Sequence, residues 1–481
     1  MPIVVLVGHD YIHAVCDILR MYYVEVYITD NNIVAGIPDV MIINTADNDS
    51  ISTKWGENEI SRRIDGPVTE SGIKREVKRQ LYQAMVSITG IEFPWGSLTG
   101  IRPTLIASEC IDNPRKLRDF YFVSENKAVL AVETAFHEGK IREIISPEFI
   151  HCYIGIPFCR TRCEYCSFIS EEYIANEKLV SLYIDALIKE IARCLPAVEN
   201  RIQTIYIGGG TPTSIPDLLF EKLLKELHRY CISGNLLEYT VEAGRADSIT
   251  PEKLEIMKKY GVGRICINPQ TFNDSTLRKI GRSHTADQAK EAFRLAGTMG
   301  FRTVNMDLIA GLPGETFDDF KKSLDELICL NPENITIHSL SLKHSSSMTR
   351  EISENNSTDF HLQCFHMPNK EISDMIEYSY SELKKHGYHP YYLYRQKNAA
   401  GGHENTGYSK SGRECLYNVA MMGDMNTIMA FGAGAISKRF FPDELDKKKR
   451  MVRSPNMKNI REYLERIDEL IIRKKIFFGG N

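Results

Sequence analysis

Cys159, Cys163 and Cys166 are the residues whose types and spacing most directly imply chemistry. They stand in Tyr153-Ile154-Gly155-Ile156-Pro157-Phe158-Cys159-Arg160-Thr161-Arg162-Cys163-Glu164-Tyr165-Cys166, a C-x3-C-x2-C pattern. Three thiolates this close can each bind a different iron of a cubane [4Fe–4S] cluster, leaving the fourth iron without a protein ligand. That iron is open to the amino and carboxylate groups of a methionine moiety. A reduced cluster can then pass one electron to the adjacent sulfonium, break its S–C bond and release a 5′-deoxyadenosyl radical. Structural zinc in a binding module is the competing reading of the same thiols. Zinc takes four closed ligands, however, and the neighbouring His151 and Cys152 fall on the strand side of the loop.

A second group of residues has the types needed to hold S-adenosylmethionine. Gly208-Gly209-Gly210-Thr211-Pro212-Thr213 permits close backbone approach to a ligand. It is not a P-loop, because no Gly-Lys-Ser/Thr follows. Gly261-Val262-Gly263 is likewise no dinucleotide fingerprint, since Cys266 occupies the third glycine position. Glu242, Gln270, Arg282 and Asp307 sit at or just after successive strands, where polar side chains suit ribose hydroxyls and a carboxylate. Each alone reads as an ordinary loop or structural residue; their recurrence on successive strands is the signal.

The elements that must position these groups follow from hydrophobic periodicity. Short apolar runs at Cys152–Ile156, Thr204–Ile207, Tyr239–Glu242, Arg264–Asn268, Thr303–Leu308 and Asn334–His338 read as strands. Amphipathic helices lie between them. Leu179, Tyr183, Leu187 and Ile191 form one stripe; Phe317, Phe320, Leu324 and Leu327 form another, with Thr316 and Asp319 as a capping-box variant. Such alternation predicts a parallel sheet with crossovers, and six units suit an open, partial (βα)6 barrel. Barrel-type folds place chemistry on the loops at the strand C-termini, so the motifs converge on one face.

Three domains are expected: 1–145, α/β, role unknown; 146–345, the barrel core; and 346–481, α+β, covering the substrate. In the first, Ile3–Val7 and Val24–Ile28 read as strands and Ile73–Ser87 as a helix. The segment Trp95–Thr104 is turn-rich and shows no chemistry. In the last, Glu371–Lys385 and Ser454–Lys475 read as helices. The chain has 481 residues, of which 43% are hydrophobic and 25% charged, an ordinary globular balance. A net charge of −4 argues against nucleic-acid binding. No apolar run reaches membrane-spanning length and the N-terminus lacks signal-peptide features, so a soluble, cytoplasmic protein is expected. The nine scattered cysteines then read mostly as buried thiols.

From about residue 93 to 440 the sequence resembles the oxygen-independent coproporphyrinogen III oxidase-like radical S-adenosylmethionine (SAM) proteins, most of all the coproporphyrinogen dehydrogenase branch with an N-terminal extension. The resemblance rests on the cysteine segment, the Gly-Gly-Gly-Thr-Pro-Thr run, Thr240–Arg245 and Met306–Gly314. It continues in Tyr391–Lys397, Glu414–Asn418 and Phe431–Ala435. It implies a [4Fe–4S] cluster on Cys159, Cys163 and Cys166. It also implies SAM contacts at Tyr153, Gly209, Gly210, Thr211, Glu242, Gln270, Arg282 and Asp307, and an aromatic, Tyr165, associated with a second SAM.

The activity implied is oxidative decarboxylation of two propionates of coproporphyrinogen III, giving protoporphyrinogen IX in haem biosynthesis. An electron-donor protein of flavodoxin or ferredoxin type would serve it. A tetra-anionic porphyrinogen calls for cations, for which Arg395, Lys397 and Arg413 are the candidates. Many oxidases of the family carry a fourth cysteine two residues after the third, where this chain has Phe168. A related branch carries haem instead. A haem chaperone is therefore the alternative, with His338, His344, His389 or His403 as iron ligand.

Overall fold

Strict alternation along the central strands sets the architecture. In the computed structural model, Ile205, Ile207, Val241, Ile265, Ile267, Met306, Leu308, Ile335 and Ile337 are buried in one large core against helices. The residues between them, Tyr206, Glu242, Cys266, Asp307 and His338, point to the opposite side of the sheet. One face therefore packs on helices while the other lines a polar, aromatic interior. The structure describes all residues except 1, 24–25, 30–31, 35–39, 48, 65–68, 167–170, 173–176, 232–233, 342–368, 397–398, 447–448 and 480–481.

The chain opens with β1 (Pro2–Val7), β2 (Tyr27–Thr29), β3 (Asn32–Val34), β4 (Val40–Asp47), β5 (Ser50–Trp55) and β6 (Asn58–Arg63). They form a six-stranded sheet in the order β2-β3-β1-β4-β5-β6. Helices Ile12–Tyr22 and Glu70–Thr89 cover one face, burying Val4, Ile42, Ile51 and Trp55 under Ile18, Leu19, Val77, Leu81 and Met85. The second helix starts where Thr69 Oγ1 accepts the Gly72 N–H at 3.1 Å. The strand expected at Val24–Ile28 is Tyr27–Thr29; Val24 itself lies outside the described residues.

Then come β7 (Ile150–Ile156), β8 (Phe158–Cys159), β9 (Glu171–Glu172), β10 (Ile202–Gly209), β11 (Glu238–Gly244), β12 (Arg264–Gln270), β13 (Thr303–Ala310) and β14 (Asn334–Ser339). Strands β7 and β10–β14 pair in parallel in sequence order, which is the expected (βα)6 unit. Helices Glu177–Cys194, Asp217–His228, Pro251–Lys259, Ala286–Thr298 and Phe317–Leu330 occupy the crossovers. The Thr316–Asp319 capping box is present.

The remaining strands are β15 (His389–Arg395), β16 (Glu404–Ser409), β17 (Thr427–Phe431), β18 (Ile436–Phe440) and β19 (Met451–Pro455). They extend the sheet of the core at both of its edges, across the expected boundary at 345. The described strands of residues 346–481 join the core sheet: β16 joins β14 antiparallel, β15 follows it, and β17 joins β7 in parallel on the far side. A single eleven-stranded sheet results, β15-β16-β14-β13-β12-β11-β10-β7-β17-β18-β19. The expected helix over Ser454–Lys475 is instead the end of β19 followed by helices Ile460–Glu465 and Ile467–Gly479. The first region divides too. The sheet and two helices of residues 2–89 have their own core, whereas Trp95, Leu117, Tyr121, Leu130 and Ala131 form a second cluster with Leu393 of β15. Among the described residues, no helix is long and apolar enough to cross a membrane.

Candidate active site

The cysteine loop leaves β7 at Ile156 and is fixed by the loops that follow the next three strands. From the loop after β10, the Gly210 and Thr211 N–H groups donate to the Ile156 and Phe158 carbonyls at 2.8 and 2.7 Å. The fit is tight: a Cβ on Gly210 would stand 2.5 Å from the Phe158 oxygen. Thr211 Oγ1 lies 3.6 Å from Cys159 Sγ. From the loop after β11, buried Arg245 donates to the carbonyl and hydroxyl of Thr161 at 3.0 and 2.7 Å and to Ser283 Oγ at 2.9 Å. Beyond β12, Gly281 abuts the Arg162 carbonyl, and the Ile280 carbonyl receives the Glu164 N–H at 3.2 Å. Arg282 donates to the Asn268 carbonyl at 2.6 Å and to the Tyr165 hydroxyl at 3.2 Å, beside Cys163.

Cys159, Cys163 and Cys166 are partly exposed, and Cys166 N–H bonds the Cys163 carbonyl at 3.0 Å. Among the described residues no cysteine is in a disulfide, and no three His, Cys, Asp or Glu side chains converge as a single-ion site requires. A cubane makes a different demand, because each thiolate takes a different iron.

Inside the sheet, the other expected residues gather at the same end. The Tyr206 hydroxyl donates to Glu242 Oε1 at 2.5 Å, and the Gly209 N–H donates to Oε2 at 3.3 Å. Burial pushes the Glu242 carboxyl up to about 7; the two hydrogen bonds pull it down, and the charge of Asp307 pushes it up. Tyr153 stacks near Tyr206 and Tyr417, with ring centroids 6.4 and 6.3 Å apart, its hydroxyl against Gly209. Gly209 has φ +109°, a conformation that favours glycine.

Gln270 also has positive φ, +71°, which is strained for a residue with a side chain. Its Oε1 is buried without a hydrogen-bond partner among the described residues, as is Asn268 Oδ1 two residues earlier. Orphaned acceptors of this kind fit a ligand that brings donors. Asp307 accepts Asn305 Nδ2 at 2.6 Å and faces His338 Nε2 at 3.6 Å.

Two of the three candidate substrate cations are engaged within the protein. Arg395 is packed over Trp95, donates to the Leu98 carbonyl and bonds the Gly402 carbonyl at 3.1 Å, so its guanidinium braces the turn-rich Trp95–Thr104 segment. Arg413 sits at the opposite end of the sheet: its carbonyl accepts from Arg264 and Asn334, the first residues of β12 and β14. Lys397, Phe168 and His344 lie outside the described residues. The other candidate histidines are engaged. His338 faces Asp307, His389 bonds Glu414 at 2.9 Å, and His403, 1% exposed, bonds Ser373 at 2.9 Å.

Sequence reasoning missed the outer support of the loop. Glu190 accepts the Gly432 N–H at 3.0 Å and the Tyr463 hydroxyl at 2.7 Å, and pairs with Lys474 at 2.7 Å. The Tyr183 hydroxyl joins the Gly155 carbonyl to the Ala433 N–H. Phe431–Ala435 thus holds β7 from the side opposite β10. The signal available was the glycine pair Gly432 and Gly434; the pairing of β17 with β7 leaves no local trace.

Fold and loop together define a radical SAM protein: residues 153–327 match the Radical SAM superfamily. The chain is 38% identical over 397 residues to the oxygen-independent coproporphyrinogen-III oxidase-like protein HemZ of Bacillus subtilis (strain 168), covering 77% of this chain and 76% of that one. It is 32% identical over 285 residues to the heme chaperone HemW of the same organism, covering 59% and 69%. It therefore belongs to the oxygen-independent coproporphyrinogen III oxidase-like family of radical SAM proteins. Among solved structures, coproporphyrinogen III oxidase (HemN) from Escherichia coli shares the fold, with a TM-score of 0.51 and 21% identity over 70% of this chain and 72% of that one. Membership of the superfamily implies a [4Fe–4S] cluster and SAM.

Proposed function

We propose that this protein oxidatively decarboxylates two propionates of coproporphyrinogen III to give protoporphyrinogen IX, in the cytoplasm, with electrons from a flavodoxin- or ferredoxin-type donor. The observation that carries this reading is the 38% identity with an oxidase-like relative over a stretch containing the whole site. In this reading Cys159, Cys163 and Cys166 hold the cluster. When bound, the cluster and SAM supply a one-electron reductive cleavage that yields a hydrogen-abstracting radical. For each propionate, the β-hydrogen atom would pass to that radical, the C–CO2 bond would break with loss of carbon dioxide, and the remaining electron would pass to a one-electron acceptor, leaving a vinyl group.

This chain's residues have positioning tasks. Gly209, Gly210 and Thr211 bring backbone close to the ligand. Glu242 offers a carboxylate to a cationic amino group. Gln270, Arg282 and Asp307 offer an amide, a guanidinium and a carboxylate at the strand ends. Tyr153 and Tyr165 supply aromatic surface, the latter beside the cysteines. Lys397 remains a candidate for a substrate carboxylate.

A haem chaperone is the second reading, favoured by the 32% identity with HemW. The test is anaerobic turnover of coproporphyrinogen III by cluster-reconstituted protein with SAM and a reductant. Vinyl products support the oxidase. SAM cleavage without them, together with tight haem binding, supports the chaperone.

A further inference from the structure

The groups around His338 favour a proton on each ring nitrogen. The Ser339 N–H donates to Asn405 Oδ1 at 3.1 Å, while Asn405 Nδ2 donates to the Tyr394 carbonyl at 3.4 Å. Both contacts require the same orientation of the amide, with Oδ1 as acceptor. His338 Nδ1 stands 3.2 Å from that Oδ1 and must donate to it. Nε2 faces Asp307 Oδ2 at 3.6 Å, a second acceptor. A neutral imidazole has one N–H, which Nδ1 gives to Asn405; the carboxylate facing Nε2 at ion-pair distance favours a second proton there, and so the imidazolium.

Asp307 is fixed from its other side as well. Its Oδ1 takes Asn305 Nδ2 at 2.6 Å, and Asn305 Oδ1 takes the Thr336 hydroxyl at 3.2 Å. The relay therefore runs β16–β14–β13, from Asn405 through His338 to Asp307. We propose that His338 is a positioning residue of the SAM site: its imidazolium holds the Asp307 carboxylate in place, aimed into the polar interior. This inference rests on the proposed SAM site, to which Asp307 belongs.

The charges around the ring agree. Burial alone would lower the His338 pKa; the attraction of Asp307, the contact with Asn405 and the charge of Glu242 more than reverse that, and the net shift is upward. The groups facing this corner are Asp307 on β13, Glu242 on β11, Cys266 on β12, and Tyr392 and Tyr394 on β15. Burial keeps Cys266 and both tyrosines neutral by raising their pKa values, so His338 is the one positive partner among these groups.

The test has two arms. In the first, the His338 ring nitrogens are observed by 15N NMR in the ligand-free protein across neutral pH. Shifts of two protonated nitrogens are expected at pH about 7; a neutral tautomer there overturns the proposal, whatever the variants do. In the second, SAM binding to oxidised, cluster-loaded protein is measured by calorimetry from about pH 6 to about pH 9. Wild-type affinity should fall on the alkaline side as His338 loses its proton. His338→Gln, which keeps a donor but no charge, should bind about tenfold more weakly at neutral pH, a loss of about 1.4 kcal/mol, and lack the alkaline fall. An alkaline limb unchanged in H338Q overturns the proposal and leaves the SAM site standing. Failure of the wild type to bind SAM at any pH overturns the site itself, and this inference with it.

Discussion

The Tyr206 hydroxyl and the Glu242 carboxylate meet at 2.5 Å inside the sheet, while the same carboxylate receives the Gly209 N–H. An acid on one strand is thereby tied to the glycine run on its neighbour. Because burial holds Glu242 up to about 7, its charge is undecided at neutral pH until a cation arrives. Binding of SAM, which carries an ammonium and a sulfonium, should ionise Glu242 and release a proton. Calorimetry in two buffers of different ionisation enthalpy should report up to one proton released near pH 7, and affinity should rise as pH climbs through about 7. Glu242→Gln should remove both effects.

The same carboxyl has the opposite effect on stability without ligand. A pKa raised from 4.5 to about 7 means that the folded state holds a proton the unfolded state has lost. The contribution of Glu242 is fully present below about pH 4.5 and is lost as pH rises through about 7. At pH about 8, Glu242→Gln should be more stable than the ligand-free wild type by about 1–3 kcal/mol and unfold at a higher temperature, despite losing SAM. A lower melting temperature would show that the Tyr206 contact matters more than the buried charge.

Gly210 should tolerate no side chain. With a Cβ 2.5 Å from one carbonyl oxygen and 2.8 Å from another, Gly210→Ala must displace the cysteine loop. Overpacking of this kind costs about 1–3 kcal/mol. The variant should remain folded by circular dichroism but bind less iron and sulfide after reconstitution, with a weaker cluster absorbance.

Lys127 and Glu404 form a buried pair at 2.6 Å, 3% and 0% exposed, with Trp95 Nε1 on the second carboxylate oxygen at 2.8 Å. Lys127→Met leaves a buried carboxylate without its counter-charge and should cost about 3–5 kcal/mol in urea unfolding. The double variant with Glu404→Gln should recover most of that loss. The pair links the helix Glu125–Ile144 to β16, so the single variant should also lower activity.

Arg413 and Arg395 provide a contrast. Arg413→Gln, at the far end of the sheet, should leave substrate affinity within about twofold of wild type. Arg395→Gln should reduce stability, because Leu98 and Gly402 lose their donor.

Local pattern made the core of this molecule readable. The strands at Thr204, Tyr239, Arg264, Thr303 and Asn334 begin within two residues of their expected positions, because each side chain alternation continues across a full buried strand. The cysteine loop, the glycine run and the strand-end acids were legible because chemistry restricts their types and spacing. What depends on distant partners was not. The acceptor of Arg395 is the carbonyl of Leu98, some three hundred residues earlier. His338 reads as a lone histidine until Asp307 and Asn405 flank it. The place of β17 beside β7 is a pairing across the whole core, and no periodicity encodes a partner.

The flanking of β7 by β10 on one side and β17 on the other also fixes an order of events during synthesis. The strand that launches the cysteines acquires its second neighbour only after residue 431 has left the ribosome. Iron delivered earlier would meet a half-built wall, so a chain cut anywhere before β17 should take up less iron and sulfide and show a weaker cluster colour.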